Sequence, residues 1–322
     1  MSIEGIEEVV YGVEDLARAE QFWTDWGLRL AARNETELDF RTLNGSAVRV
    51  RPATDASLPP AIEPGSTVRE VIWCVDGAAD LDVLAHHPGV TRRDTPAGSE
   101  CVATDPNGLA IRFRVSTKKA VDVSGSPSNN WGSPHRINQP SRIYDRAEPI
   151  EIGHVVFFTD KLEACEEFYT ALGFVVSDRY PGRAIFLRAS PTGGHHDLFL
   201  LQVPGGKPGL NHVAFSVRDI HEVFGGGLHI SRCGWETQLG PGRHPISSAY
   251  FWYVKTPCGG LAEYNADEDM LTSEWTPRDF TPSNEAFAEW AIEGGLDGNT
   301  RRQRAPGGDA IAAGKFGTER RN

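Results

Sequence analysis

Short apolar runs bounded by turn residues dominate the pattern of the chain, and one amphipathic helix follows the first of them. The opening segment IEEVVYGV predicts a strand, and the apolar residues after it recur at helical spacing until Gly27 ends the pattern. The apolar face of this helix contains Leu16, Ala19, Phe22, Trp23 and Trp26. Further strands are predicted at 38–43, 46–51 and 68–75. The first half of the chain is therefore predicted to be an α+β unit.

The second half of the chain repeats this pattern. Without gaps, EEVVYGVEDLARAEQFWTDWGL aligns with GHVVFFTDKLEACEEFYTALGF, so that Val9 corresponds to Val155 and Gly27 to Gly173. Further on, REVIWCV parallels NHVAFSV, and TDPNGLAIRF parallels KTPCGGLAEY. Internal repetition of this kind predicts a duplicated domain.

A polar connector separates the two copies and sets the expected domain boundaries. We expect an N-terminal domain at 1–115, a linker at 116–148 and a C-terminal domain at 149–280. Residues 281–322 would form a short helix and a mobile tail, because the last part is Gly-rich, charged and aperiodic. The helix would begin at Ser283, and it could dock over the C-terminal domain, contact another subunit or pack on its own domain.

Three strand-like segments of the second copy each carry a side chain that can bind a metal. They are His154, His212 and Glu263. Two neutral imidazoles and one carboxylate form the facial triad of non-heme Fe(II) oxygenases, which leaves coordination positions open for substrate and O₂. We refer to these three residues as the triad, and predict that they meet in one pocket.

The first copy has different residues at the three positions. They are Glu8, Glu70 and Arg112. An always-charged guanidinium disfavours a metal, and two carboxylates around it could form a buried charge cluster instead. The sequence therefore predicts a metal-free N-terminal domain and an active C-terminal one.

Composition restricts the classes of function. The 322 residues carry a formal net charge of −12, which argues against nucleic acid as a partner. No apolar run approaches the ~18 residues of a membrane span, and MSIEGIEEVV lacks the features of a secretory signal. Five cysteines without a CxxC pair favour free thiols in a reducing cytoplasm. We therefore expect a cytoplasmic protein with no membrane partner.

The segments GHVVFF, HHDLFLL, GLNHVAFSV, GPGRHP and FWYVKTPCGGLAEY together resemble the type I extradiol catechol dioxygenases of the vicinal oxygen chelate superfamily. The resemblance covers most of residues 3–280 and is strongest at 150–264. It implies two tandem domains, each built from two βαβββ modules that form a cup-shaped barrel. The expected modules are 5–52, 66–115, 150–205 and 209–264.

The resemblance also implies the cofactor and the residues around it. The triad would hold Fe(II), with Mn(II) as a possible substitute. His196 matches the acid/base histidine of the family, and His195 would face the other way because neighbouring side chains of a strand alternate. His244 and Tyr253 match residues that contact substrate oxygens. Each of these could instead be structural: the histidines as strand or loop residues, and Tyr253 as a core aromatic.

The implied activity is extradiol (meta) ring cleavage of a catechol-type substrate with O₂, in a homo-oligomer. Histidine can serve as both base and acid near neutral pH, which suits His196 to this chemistry. Ile246 departs from the Asn of biphenyl-type members and weakens the transfer of their substrate preference. Arg183 and Arg188 could meet a substrate carboxylate, although surface solvation is the simpler expectation. The alternatives are a Zn²⁺- or Ni²⁺-dependent isomerase or lyase with the same fold, and a non-catalytic protein that binds an aromatic ligand.

Overall fold

The computed structural model describes residues 2–296, and its first half consists of two βαβββ modules. The first module contains β1 (Ile3–Val13), α1 (Leu16–Asp25), β2 (Arg29–Arg33), β3 (Leu38–Arg41) and β4 (Ala47–Pro52). The second contains β5 (Thr67–Val75), α2 (Ala78–Leu84), β6 (Thr91–Thr95), β7 (Gly98–Thr104) and β8 (Ala110–Val115). The predicted strand and helix at the start of the chain are both present.

The second half repeats this order. Its first module contains β9 (Glu151–Thr159), α3 (Leu162–Ala171), β10 (Val175–Tyr180), β11 (Ala184–Arg188) and β12 (Leu198–Gln202). Its second contains β13 (Gly209–Ser216), α4 (Ile220–Arg232), β14 (Thr237–Arg243), β15 (Tyr250–Lys255) and β16 (Leu261–Ala266). The predicted α+β fold with paired βαβββ modules is therefore confirmed.

Each half forms one mixed sheet with the same topology. The first sheet has the order β2-β3-β4-β1-β5-β8-β7-β6. In the second, the corresponding strands have the order β10-β11-β12-β9-β13-β16-β15-β14. The leading strands of the two modules lie side by side and antiparallel at the centre of each sheet, and each is parallel to the last strand of its own module. The central strands therefore carry the positions that the sequence repeat relates.

A continuous core joins the two halves. Trp26, which caps the end of α1, stacks on Tyr264 of β16 with ring centroids 3.7 Å apart, and the Tyr264 hydroxyl donates to the Trp26 carbonyl at 2.6 Å. In the reciprocal direction, Phe174, which follows α3, packs edge-on against Trp73 of β5. Each half therefore buries its first helical segment against the sheet of the other half.

The glycine run of α4 also serves packing. The helix lies so close to the sheet that a Cβ on Gly227 would sit 2.0 Å from the Trp252 ring, and one on Gly226 would sit 2.7 Å from Tyr264. Small residues at these positions let the helix backbone approach the aromatic side chains. The Gly-rich segment is therefore part of the core.

We call the curved sheet of the first half the first cup and that of the second half the second cup. The end of the described chain crosses the second cup. Strand β17 (Arg278–Asp279) pairs with β10 at one edge of the sheet, and strand β18 (Trp290–Glu293) pairs with β14 at the opposite edge. Between them lies the short helix α5 (Asn284–Phe287), capped by Ser283. We call residues 278–293 the strap. In this chain the segment packs on its own domain, where Phe287 lines the pocket of the second cup, and Trp290 lies in a strand rather than on the helix.

The remaining expectations about the chain concern its tail, its cysteines and the membrane. The predicted mobile tail falls almost wholly on residues 297–322, which lie outside the described residues. All five cysteines are free. Among residues 2–296, no helix combines the length and apolar character needed to cross a membrane.

Candidate metal centre

Three central strands of the second sheet bring the triad together. Ala214 of β13 pairs with His154 of β9 on one side and with Glu263 of β16 on the other. His212 lies two residues before Ala214 and therefore projects from the same face of the sheet. The side chain of Ala214 is fully buried, and its small size leaves room for its two neighbours. The register of the sheet thus directs all three side chains to one point.

The ligand atoms of the triad lie almost equally far apart. The Nε2 atoms of His154 and His212 are 3.1 Å apart, and they lie 3.2 Å and 3.0 Å from Glu263 Oε2. Adjacent ligands of an octahedral ion lie about 3 Å apart when its bonds are about 2.1 Å long. The spacing fits three neighbouring positions around one divalent ion.

The protonation of the triad also suits a metal. Burial and the neighbouring His196 lower the pKa of His154 to about 4, so its imidazole is neutral near pH 7. Burial by itself would raise the pKa of Glu263, but hydrogen bonds to His154 and His212 and their charges lower it well below its usual value. His212 Nδ1 lies 2.7 Å from the Asn211 side-chain oxygen, which fixes the proton on Nδ1 and leaves Nε2 free to bind.

Two buried atoms of the triad have no hydrogen-bond partner within residues 2–296. They are Glu263 Oε1 and His154 Nδ1. An unpaired carboxylate oxygen is costly to bury, and a cation bound to the same carboxylate would offset part of that cost. Together with the donor set, this supports an ion at the centre of the triad.

His196 lies beside the triad and is held from behind by two groups. Its ring centroid is 4.1 Å from that of His154, and its Nδ1 lies 3.0 Å from Glu268 Oε1 and 3.2 Å from His195 Nδ1. His195 turns away from the cup, and its Nε2 lies 2.8 Å from Asp178 Oδ2. Arg278 of the strap holds the same Asp178 oxygen at 2.6 Å.

The two carboxylates of this network fix the tautomer of His196. Burial would raise the pKa of both, but bonds to His195 and Arg278 lower that of Asp178, and the bond to His196 lowers that of Glu268. An ionised carboxylate only accepts hydrogen bonds. Asp178 therefore accepts from His195 Nε2, which leaves His195 Nδ1 as an acceptor for His196. The proton of His196 accordingly lies on Nδ1, and its Nε2 carries a lone pair.

His244 and Tyr253 form a second pair at the pocket. His244 Nδ1 lies 2.7 Å from the Phe287 carbonyl, so this nitrogen donates, and Nε2 accepts from the Tyr253 hydroxyl at 2.9 Å. Burial, followed by the charge of Glu263, raises the pKa of Tyr253 well above its usual value. Burial lowers the pKa of His244. Both side chains are therefore neutral near pH 7.

One pocket connects these groups and has a polar and an apolar end. Its free volume is about 50 Å³. At the polar end lie His154, His196, His212, His244, Tyr253 and Asn265. The rest of the lining is mostly apolar and consists of Tyr180, Phe186, Phe199, Ile246, Ser247, Ala249 and Phe287. Five of the six predicted site residues thus line a single pocket. The sixth, Glu263, contacts two of them, His154 and His212.

Several features of the site were not predicted from the sequence. Arg188 was expected to be solvated, but only 1% of it is exposed, and it binds the carbonyl groups of Val176 and Pro191. Arg183 is exposed, as expected, and is not part of this pocket. Glu268 and Asp178 were missed altogether, because a single carboxylate inside a strand or just beyond one has no distinguishing pattern.

The first cup contains ion pairs at the corresponding positions. Arg112 binds both oxygens of Glu70, at 2.9 and 3.0 Å, and also Glu100. Glu8 does not reach Arg112 but instead binds Arg49 and Arg114. The expected cluster of two carboxylates around Arg112 therefore exists with Glu100 in place of Glu8. Within residues 2–296, two groups of converging side chains could hold a metal ion, and both lie in the second half. They are the triad and a second group made of His154, His196 and Glu268.

Comparisons with known proteins agree with this geometry. Residues 151–264 match the family model "Glyoxalase/Bleomycin resistance protein/Dioxygenase superfamily". The chain is 31% identical to metapyrocatechase 2 of Cupriavidus necator over 195 residues, which is 58% of this chain. That alignment also spans only 58% of the length of the relative.

Solved structures extend the likeness to both halves. The Mn(II)-bound glyoxalase from Novosphingobium aromaticivorans has a TM-score of 0.73 and 22% identity, with 95% of each chain covered. Homoprotocatechuate 2,3-dioxygenase from Arthrobacter globiformis has a TM-score of 0.69 and 19% identity, covering 90% of this chain and 88% of that one. The protein thus resembles the extradiol catechol dioxygenases of the glyoxalase/bleomycin resistance protein/dioxygenase superfamily, and it shares their two-domain fold.

Proposed function

We propose that this protein cleaves the ring of a catechol-type substrate next to its two hydroxyl groups, using O₂ and an Fe(II) ion held by His154, His212 and Glu263. The observation that carries the proposal is the triad itself, which meets at one wall of a pocket lined by aromatic side chains and by His196, His244 and Tyr253. Metapyrocatechase 2, the relative at 31% identity, bears the name of such an enzyme.

The ligand set defines what the ion would contribute. Fe(II) supplies Lewis acidity towards the catechol oxygens and a route for electrons between the catechol and O₂. Mn(II) accepts the same ligands, and one neighbour in fold is a Mn(II)-bound protein. The chain holds the donor atoms on three adjacent strands, so little reorganisation is needed for an ion to bind.

His196 is the proposed acid and base. With its proton fixed on Nδ1 by Glu268 and His195, its Nε2 can accept a proton from a catechol hydroxyl in the pocket. The imidazolium formed by this transfer is stabilised by the ionised Glu268 at 3.0 Å. The same Nε2 would then be placed to return the proton to a substrate oxygen.

Tyr253 and His244 are proposed to orient the substrate. The Tyr253 hydroxyl already donates to His244 Nε2, and His244 is fixed in turn by the Phe287 carbonyl. A substrate oxygen that replaces His244 as acceptor would receive the Tyr253 proton from a side chain that stays neutral near pH 7. Phe287 belongs to the strap and lines this side of the pocket.

One rival keeps the metal and changes the reaction. A metal-dependent isomerase or lyase is favoured by the likeness to a glyoxalase at a TM-score of 0.73. The rival needs no O₂, so the two reactions differ in what they consume.

The decisive experiment measures O₂ uptake by protein that has been loaded anaerobically with Fe(II), Mn(II), Zn(II) or Ni(II). We expect one O₂ consumed per catechol and a yellow ring-opened product with Fe(II) or Mn(II), and neither with Zn(II) or Ni(II). Turnover of a substrate by the Zn(II) or Ni(II) protein without O₂ uptake would favour the isomerase or lyase. Binding of catechols to the Fe(II) protein without turnover would favour the non-catalytic alternative.

A further inference from the structure

The pocket has a continuous apolar wall in addition to the polar side chains of the triad and its neighbours. We define the apolar wall as Tyr180, Phe186, Phe199, Ile246 and Phe287, all of which line the pocket. Phe186 stacks on Phe199 with centroids 4.0 Å apart and meets the His196 ring at 5.1 Å. Phe287 meets the His244 ring at 5.1 Å. A ring bound at the triad would therefore direct its substituents between two aromatic surfaces.

No lysine or arginine of residues 2–296 lines this pocket. Arg278 comes close enough to bind the Ile246 carbonyl at 2.7 Å, but its charge is paired with Asp178. Arg243, next to His244 in sequence, is bound to Glu289. Neither guanidinium is therefore available to a ligand.

The one polar side-chain atom of the apolar wall itself is also committed. The Tyr180 hydroxyl donates to the Ala286 carbonyl at 2.8 Å. A negatively charged substituent would lose its hydration against the apolar side chains of the wall and gain no cation from the wall in exchange.

The free volume adds a limit on size. The pocket has about 50 Å³, whereas a protein cavity that admits benzene measures about 150 Å³. Side chains of the lining must therefore move when a catechol binds, and small ring substituents require the least movement.

These observations rest on the proposed function and define its substrate more narrowly. We propose that the enzyme acts on uncharged catechols that are unsubstituted or carry small apolar substituents, and that the apolar wall excludes catechols with an anionic side chain. Phe199, which is half-buried at the edge of the wall, is the residue at which this preference can be altered with the least disturbance of the core.

The test compares four compounds with the full-length Fe(II)-loaded protein: catechol, 4-methylcatechol, 3,4-dihydroxybenzoate and 3,4-dihydroxyphenylacetate. Steady-state kinetics give kcat/KM, and anaerobic titration gives dissociation constants independently of turnover. We expect both neutral compounds to exceed both carboxylates by roughly 100-fold or more in kcat/KM, with a parallel difference in binding, because the wall cannot solvate an anion.

A pair of variants tests whether the wall is responsible. Phe199→Arg adds a cation to the wall, and Phe199→Leu removes the aromatic ring without adding charge. We expect Phe199→Arg to raise the ratio of carboxylate to neutral kcat/KM by at least about 10-fold, and Phe199→Leu to leave that ratio within about 3-fold of the starting value. Circular dichroism and iron content confirm that each variant is folded and loaded.

The outcomes separate this inference from the proposed function. If no catechol supports O₂ uptake, the proposed function is wrong. If the carboxylates are cleaved as efficiently as catechol, ring cleavage stands and the exclusion of anions is overturned. An equal change of the ratio in both Phe199 variants would also overturn the role of charge at the wall.

Discussion

The two cups of this chain have the same order of strands but opposite ways of stabilising polar side chains in their interiors. In the first cup, guanidinium groups and carboxylates pair with each other around a cavity of about 670 Å³. In the second, two imidazoles and one carboxylate converge beside a pocket of only about 50 Å³. The difference teaches that one scaffold can hold either a cluster in which guanidinium groups neutralise the carboxylates or a donor set suited to a metal ion.

The largest expected effect comes from breaking the second cup. His212→Ala removes one of three ligands, so metal content should fall below a tenth of an equivalent and turnover should drop by roughly 1000-fold or more. Metal analysis and O₂ uptake measure both quantities. Full metal content in this variant would contradict the assignment of the triad.

His196→Ala separates catalysis from metal binding. We expect the metal to remain and turnover to fall by about 10² to 10⁴, the usual contribution of general acid–base catalysis. Loss of the metal together with activity would instead show that His196 supports the triad. The comparison with His212→Ala therefore distinguishes a ligand from a proton carrier.

The protonation of His154 predicts how stability depends on pH in the metal-free protein. Its pKa is about 4 in the folded state and about 6.5 when unfolded, so the unfolded state binds the proton first as the pH falls. The free energy of unfolding is therefore highest above pH 6.5 and falls by about 3 kcal/mol as the pH decreases from 6.5 to 4. Urea denaturation at several pH values measures it.

The control for this pH dependence is His154→Asn, which lacks the titrating ring. The loss of stability between pH 6.5 and 4 should be smaller in the variant by about the same 3 kcal/mol. An identical pH dependence in both proteins would mean that His154 is not the group responsible.

A smaller effect is expected at Glu268, which fixes the tautomer of His196. Glu268→Gln should reduce kcat by about 10-fold while KM and metal content change little, because outer residues of such sites contribute about 10- to 100-fold. Nitrogen-15 NMR of labelled histidine should show His196 protonated on Nδ1 in the wild type and a mixture of tautomers in the variant. An unchanged spectrum would show that His195 alone fixes the ring.

The smallest effect on turnover is expected in the first cup. Arg112→Met leaves Glu70 and Glu100 without their guanidinium partner, so the free energy of unfolding should fall by about 1–3 kcal/mol. Metal content and specific activity should not change. Loss of iron in this variant would overturn the view that the first cup is independent of the metal.

The sequence was sufficient for the features that repeat. Helix α1, the central strands and the triad positions could be predicted because apolar periodicity and the alignment of the two halves point to the same residues. Strands β2 and β6 could not be recognised, because they lie at sheet edges and nearly all their residues are exposed. The network behind His196 was equally hidden, since Asp178 and Arg278 are 100 residues apart and meet only through the strap.

The reciprocal burial of α1 and Phe174 between the two halves has a consequence for dissecting the protein. Trp26 belongs to the first half but stacks on Tyr264, one residue after Glu263. An excised second half would expose the Tyr264 ring and the neighbouring aromatic surface to water, so it should be insoluble or self-associating. The second half is therefore not expected to be an autonomous fragment, because the first half covers part of its aromatic surface.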